Sequence, residues 1–129
     1  MRKIMQIVYY WFPPLMWMGI IYFMSSQKSV SVTSDPVAEF VTFKTLHMIE
    51  YAFLFFLFYR AFHSLKNMQE YFFALYSFAI AISYSVTDEL HQLLIPTRQG
   101  RIRDILFDMG GILIMYGIIR KVRLLRKLL

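Results

Sequence analysis

The stretch Ile7-Val8-Tyr9-Tyr10-Trp11-Phe12-Pro13-Pro14-Leu15-Met16-Trp17-Met18-Gly19-Ile20-Ile21-Tyr22-Phe23-Met24 decides the fold. No charged residue occurs from Ile4 to Gln27, and a helix needs about 20 mostly apolar residues to cross a bilayer. The rest of the chain agrees with this segment. Of 129 residues, 58% are hydrophobic and 19% aromatic, while 17% are charged, against about 25% in an average soluble domain. A soluble domain of this length would leave much of that apolar surface facing water. An ordinary soluble globule, a disordered tail and a collagen-like chain are therefore excluded. One domain over 1–129 is expected, as an integral membrane protein.

Three further apolar runs follow. Thr45–Tyr59 lies between Lys44 and Arg60, with apolar character reaching out to Phe40 and Phe62. Tyr71–Thr87 is uncharged and rich in aromatics, and Ile105–Ile119 carries one charge, Asp108. The expected fold is all-α, a bundle of four transmembrane helices over about 5–25, 41–62, 70–92 and 103–121. The runs show no strand-like alternation, so a closed barrel is not expected. Arg2 and Lys3 would also suit the basic start of a cleaved signal peptide, but Ser25-Ser26-Gln27 is a poor cleavage site. Pro13-Pro14 should kink the first helix, which spanning helices tolerate.

The net charge of +6 resembles a nucleic-acid signal until the bases are located. Five of them, Arg120, Lys121, Arg123, Arg126 and Lys127, fall in the last ten residues. In a membrane protein such a cluster faces the anionic cytoplasmic leaflet, so nucleic acid is not an expected partner. With four spans, one side carries Arg2, Lys3, Arg60, Lys66 and those five, nine bases in all. The other side carries five: Lys28, Lys44, Arg98, Arg101 and Arg103. The positive-inside rule then puts both termini in the cytoplasm and the 88–104 loop outside. The acids sort the other way: Asp35, Glu39, Asp88, Glu89 and Asp104 lie outside, with Glu50 and Asp108 inside spans. Cysteine is absent, so neither a disulfide framework nor a thiol nucleophile is possible.

The polar residues form faces. Lys44, His47, Glu50 and Tyr51 recur at i, i+3, i+6 and i+7, one face of a helix. Asp88, His91 and Gln92 recur at i, i+3 and i+4, with Glu89 beside them. After a turn at Pro96-Thr97 come Arg98, Arg101, Asp104 and Asp108, and the last three share a face if the helix begins early. Ionisable groups in spans cost at least about 2.5 kcal/mol each at the bilayer centre, so they normally face one another or a wet cavity. Plainer readings exist beside the functional one. Lys44 suits a lysine snorkelling to the interface, and His47 with Glu50 an interhelical packing contact. Asp88 suits a helix end, and Arg101 and Arg103 suit contacts to lipid phosphate.

The residues offer definite chemistry. A carboxylate beside a histidine can move a proton, and Glu89 with His47 or His91 supplies that pairing. Arg98 and Arg101 offer forked donors for a phosphate or carboxylate. Asp104 can orient an arginine or bind a divalent ion, although no tight ligand spacing supports a metal and no cofactor is indicated. Phosphate loops, serine elbows and zinc H-E-x-x-H motifs are all missing.

The run Asp88-Glu89-Leu90-His91-Gln92 through Pro96-Thr97-Arg98, Asp104, Asp108 and Gly110-Gly111 resembles the VanZ-like family. That family shows a D/S-E-x-x-Q core, a Pro-Gly-Arg-like turn, an Asp, an Asn four residues later and a Gly. Lys44-x-x-His47-x-x-x-Tyr51 is similar to its second-helix motif, and Ser25-Ser26-Gln27 to the Ser-rich end of its first helix. Two departures stand out: Asp108 in place of the usual Asn, and Thr97 in place of the usual Gly. The resemblance implies a bacterial inner-membrane protein of about four helices, linked through the family's name to teicoplanin-type glycopeptide resistance. It also implies a polar site acting on lipid or lipid-linked headgroups. The residues it carries over are His47, Glu89, Gln92, Arg98, Asp104 and Asp108.

The expected catalytic residues are thus His47, Glu89, His91 and Asp104. The expected substrate-binding residues are Lys44, Gln92, Arg98, Arg101 and Asp108. Three functions compete. One is a cell-envelope enzyme, a hydrolase or transferase, acting on lipid or lipid-linked cell-wall precursors at the outer leaflet. Another is a non-catalytic protein binding such a precursor or an antibiotic. The third is a small transporter, which should place its ionisable groups nearer the midplane.

Overall fold

A computed structural model describes residues 2–27, 34–65, 68–95, 100–122 and 129. These residues form four helices and no strand: α1 (Arg2–Ser25), α2 (Pro36–His63), α3 (Glu70–Gln92) and α4 (Ile102–Lys121). At 1.5 Å per residue they are about 36, 42, 35 and 30 Å long, each comparable to or longer than a bilayer core. α1 runs through Pro13 and Pro14 as a single helix. α2 begins earlier than the expected residue 41. Asp35 caps it, its carboxylate accepting the Val37 N–H at 2.9 Å, and Pro36 takes the first helical position, where its missing N–H costs nothing.

α2 is the central element. It packs against all three other helices, most extensively on α4, whereas α1 and α4 do not meet among the described residues. The core is apolar and aromatic, built from Tyr51, Leu54, Phe55, Phe58 and Tyr59 of α2 with Ile21, Phe73, Ala81, Ile112 and Ile119. The closest approach comes where α4 crosses α2 at Gly111. A Cβ there would lie 2.2 Å from the Met48 carbonyl oxygen, so only glycine admits this packing. Midway along its length α1 is tied in by hydrogen bonds from Trp17 Nε1 to the Glu50 carbonyl at 3.0 Å and from the Tyr84 hydroxyl to the Met18 carbonyl at 2.6 Å.

The surface inverts the pattern of a soluble protein. Large apolar side chains face outward on every helix, among them Phe12 and Phe23, Ile49, Leu75 and Leu90, and Leu106 and Leu113. The buried set includes Ser25, Ser85, Asp88, Glu89, Gln92, Asp104 and Asp108. Two helices, α1 from Ile4 to Ser25 and α2, are long and apolar enough to cross a membrane. An apolar exterior with charged groups buried inside, together with these two helices, points to a membrane protein.

Candidate functional site

The up-and-down order of the helices brings four helix ends to one end of the bundle. These are the last turn of α1, the first half of α2, the last turns of α3 and the start of α4. Almost all the buried polar groups lie there. They extend inward from Gln92 to Ser85, seven residues or about 10 Å along α3.

On the α1 side, Gln92 is the link. Its Nε2 donates to Ser25 Oγ at 2.9 Å and to Asp88 Oδ2 at 3.0 Å. His91 turns to the same helix, with Nε2 3.0 Å from Ser26 Oγ and its ring 4.7 Å from that of Tyr22. Ser26 gives its single hydroxyl proton to the Tyr22 carbonyl at 2.7 Å. Nε2 of His91 is therefore the donor to Ser26, and that nitrogen carries its proton.

On the α4 side, Glu89 Oε2 accepts the Arg101 backbone N–H at 2.8 Å. Gly100 sits against the Glu89 carbonyl so closely that a Cβ would lie 2.3 Å from the oxygen. Glu89 thus fastens the end of α3 to the start of α4. One face of α4 points inward with Asp104 and Asp108, both buried. Asp104 forms a close ion pair with Lys44 of α2, and Arg103 Nε lies 4.0 Å from its other oxygen. Asp108 Oδ2 accepts a 2.5 Å hydrogen bond from Ser85. His47 and Glu50, one turn apart on α2, approach to 3.6 Å.

Lys44, Asp88, Glu89, Gln92, Asp104 and Asp108 therefore come together, as their spacing suggests. His47 stands at the edge of this group with Glu50. His91 and Glu89 do not pair. They are two residues apart on a helix, which turns them to different faces, and they find partners on different helices. Arg101 does not share the Asp104–Asp108 face, because α4 starts only at Ile102. Arg101 is the extended N-cap residue, and it is exposed. Among the described residues Asp104 has Lys44 as its close partner. Arg98 and the Pro96-Thr97 turn lie outside the described residues.

Ser85 belongs to the site although its sequence context reads as packing. Residues 85, 88, 89 and 92 form one continuous helix face, and that spacing is the signal that could find it. Two openings flank the cluster. One, of about 70 Å³, lies between α1 and α2 beside Ser25, His47 and Glu50. The other, of about 160 Å³, lies between α3 and α4 beside Glu89, Gly100 and Arg101. Among the described residues no group of three histidines or carboxylates is placed to hold a metal ion. The arrangement offers buried carboxylates for proton transfer, paired hydrogen-bonding groups, and exposed bases at the rim.

A family model described as VanZ/LLP1 matches residues 10–126, nearly the whole chain. No curated protein and no solved structure matches the chain.

Proposed function

Because the chain belongs to the VanZ/LLP1 family, we propose a four-span protein of the bacterial inner membrane whose buried polar end acts on lipid or lipid-linked headgroups at the outer leaflet. One observation carries this reading: polar side chains from all four helices converge at one end of a bundle whose outer surface is apolar. The cost of burying them is met mainly by one another, and such groups in a bilayer mark a functional site. The exposed Arg101 and Arg103 stand at the rim, where a headgroup phosphate would lie. A role in the cell envelope and in glycopeptide tolerance belongs to the same proposal.

Within it, Glu89 moves the proton. The test is the lipid extract of cells with and without the protein, at matched protein levels. Glu89→Gln still accepts the Arg101 N–H, so the fold is kept and only the carboxylate base is lost. A protein-dependent lipid change should fall by about 100-fold or more in rate, the usual contribution of acid–base catalysis. A second reading, non-catalytic binding of a lipid-linked precursor or antibiotic, is favoured by the Arg101–Glu89 bond, which gives Glu89 a purely structural use. Full retention of the lipid change in Glu89→Gln would favour that second reading.

A further inference from the structure

α1 and α4 do not meet among the described residues, and the gap between them leaves a groove over α2. Thr45, Met48 and Ala52 of α2 form its floor, with Trp17 of α1 on one side and Ile114 and Ile118 of α4 on the other. At about 490 Å³ it is larger than either opening beside the polar cluster, and among the described residues no charged side chain lines it. Trp17 is fixed, its Nε1 bonded to the Glu50 carbonyl and its ring 4.9 Å from that of Phe53. The indole N–H is thus already used, and the wall offers the groove carbon. A cation stands beyond the end of the groove nearer the polar cluster. Residues 103, 107, 111, 114 and 118 share one face of α4, so Phe107 and Arg103 continue that wall. The Arg103 guanidinium lies over the Phe40 ring at 4.9 Å, and that ring is 6.0 Å from the ring of Phe107. The Arg103 side chain is half exposed, whereas Lys44 is largely shielded and closed on Asp104. Arg103 is about 12 Å along α4 from Gly111. Thr45 precedes Met48, which Gly111 meets, so the groove stops about 7–8 Å short of Arg103. The headgroup layer of one leaflet is about 5–8 Å thick.

We propose that this groove holds one acyl chain of a phospholipid whose phosphate rests on Arg103. The inference rests on the headgroup reading for the depth of the polar end in the bilayer, and it adds a seat for the lipid's tail. A hydrocarbon chain asks for no hydrogen bond and suits a lining without charge. The guanidinium fork suits phosphate oxygens, and the groove ends one headgroup layer below it. A second copy of the chain fits less well. The membrane fixes the orientation of both copies, so a two-fold dimer through this face would bring both Arg103 side chains to one depth, like charge against like.

The test uses the purified full chain in detergent, with retained lipid read by native mass spectrometry. The probes are phosphatidylglycerol and diacylglycerol with identical acyl chains. One phosphatidylglycerol per chain should survive stripping of the loosely held lipid, retained about tenfold better than diacylglycerol, the worth of one charge-assisted hydrogen bond. Arg103→Gln should bring phosphatidylglycerol down to the diacylglycerol level. Ala52→Phe, which fills the groove from its floor, should lose both lipids. A second arm needs no variant to fold: phosphatidylglycerol with a diazirine midway along one chain should label Met48, Ala52 or Ile114 of the unaltered chain in preference to Phe12 and Leu15, exposed on α1. Labelling spread evenly over all five, or retention that Ala52→Phe leaves intact, would overturn the groove assignment. So would no retention of either lipid, and the headgroup reading would then be judged on the Glu89→Gln lipid extract alone. Equal retention of the two lipids would overturn the phosphate seat and, with it, the place of Arg103 at the rim in the headgroup reading. A lipid-free dimer would give the groove to a second copy and would also overturn the proposal.

Discussion

Lys44 and Asp104 show how much a single residue carries at this site. Their ion pair joins α2 to α4 with both side chains largely shielded from water. Removing one partner leaves the other charge buried, at a cost of about 3–5 kcal/mol. Lys44→Ala should therefore lower the thermal unfolding temperature in detergent far more than the double change Lys44→Met with Asp104→Leu, which removes both charges. Equal losses from the two would show that the pair does not couple. Asp108 makes the complementary case. An Asn there still accepts the Ser85 hydroxyl and carries no charge, and Asn is the residue the family resemblance leads one to expect. Asp108→Asn should leave unfolding within about 1 kcal/mol of the parent or improve it. Asp108→Ala strands the Ser85 hydroxyl and should cost about 1–3 kcal/mol by the same measurement.

At the scale of elements, α2 and α4 depend on a glycine. A side chain at Gly111 would meet the Met48 carbonyl at 2.2 Å, and backbone cannot swing aside. Gly111→Ala should cost about 1–3 kcal/mol through overpacking and reduce the yield of folded protein. Gly117, on the same helix, has no atom within 4 Å of its would-be Cβ. Gly117→Ala should be neutral or stabilising by about 0.5–1 kcal/mol, because alanine loses less backbone entropy in a helix. Thermal melts of the two variants side by side separate close packing from helix propensity. The elements themselves are largely legible in the sequence. The third helix has the expected bounds: Glu70 opens it just before the apolar run, and the polar face of Asp88, Glu89 and Gln92 carries it past the end of that run. The start of the second is not legible from hydropathy, because its first turn, Pro36–Glu39, carries a charge and is held by the Asp35 cap. Most of the site is legible because ionisable residues at helical spacing in an apolar run avoid lipid and turn toward one another. Three parts are not. Ser25 and Ser26 reach the site from a helix with no ionisable group in its span. Ser85 resembles an ordinary packing serine. The placement of Arg101 turns on a one-residue difference in where a helix begins, and one residue rotates a side chain by about 100°.

For the whole molecule, the side of the membrane on which the polar end lies decides what it can meet. The helix order places the ends of α1 and α3 together with the starts of α2 and α4, so one orientation fixes all four contributions to the site. The opposite end carries Arg60 over the rings of Tyr9 and Tyr10, each at 4.6 Å, and the bases Arg120 and Lys121 at the close of α4. Lysine and arginine in short loops set orientation, and nine against five favours this basic end in the cytoplasm. The acids do not weigh much in that rule, yet their concentration at the other end suits the outer leaflet equally well. The chain has no cysteine, so single cysteines can be placed without background. Gln99→Cys should react with an impermeant thiol reagent in intact cells, and Arg126→Cys should react only after the membrane is opened. The reverse pattern would put the polar end in the cytoplasm. The site would then meet cytoplasmic lipid-linked precursors, and a direct encounter with an external glycopeptide would be impossible. Labelling of both positions in intact cells would put them on the same side of the membrane. α4 would then not cross between them, and the four-span arrangement itself would be refuted.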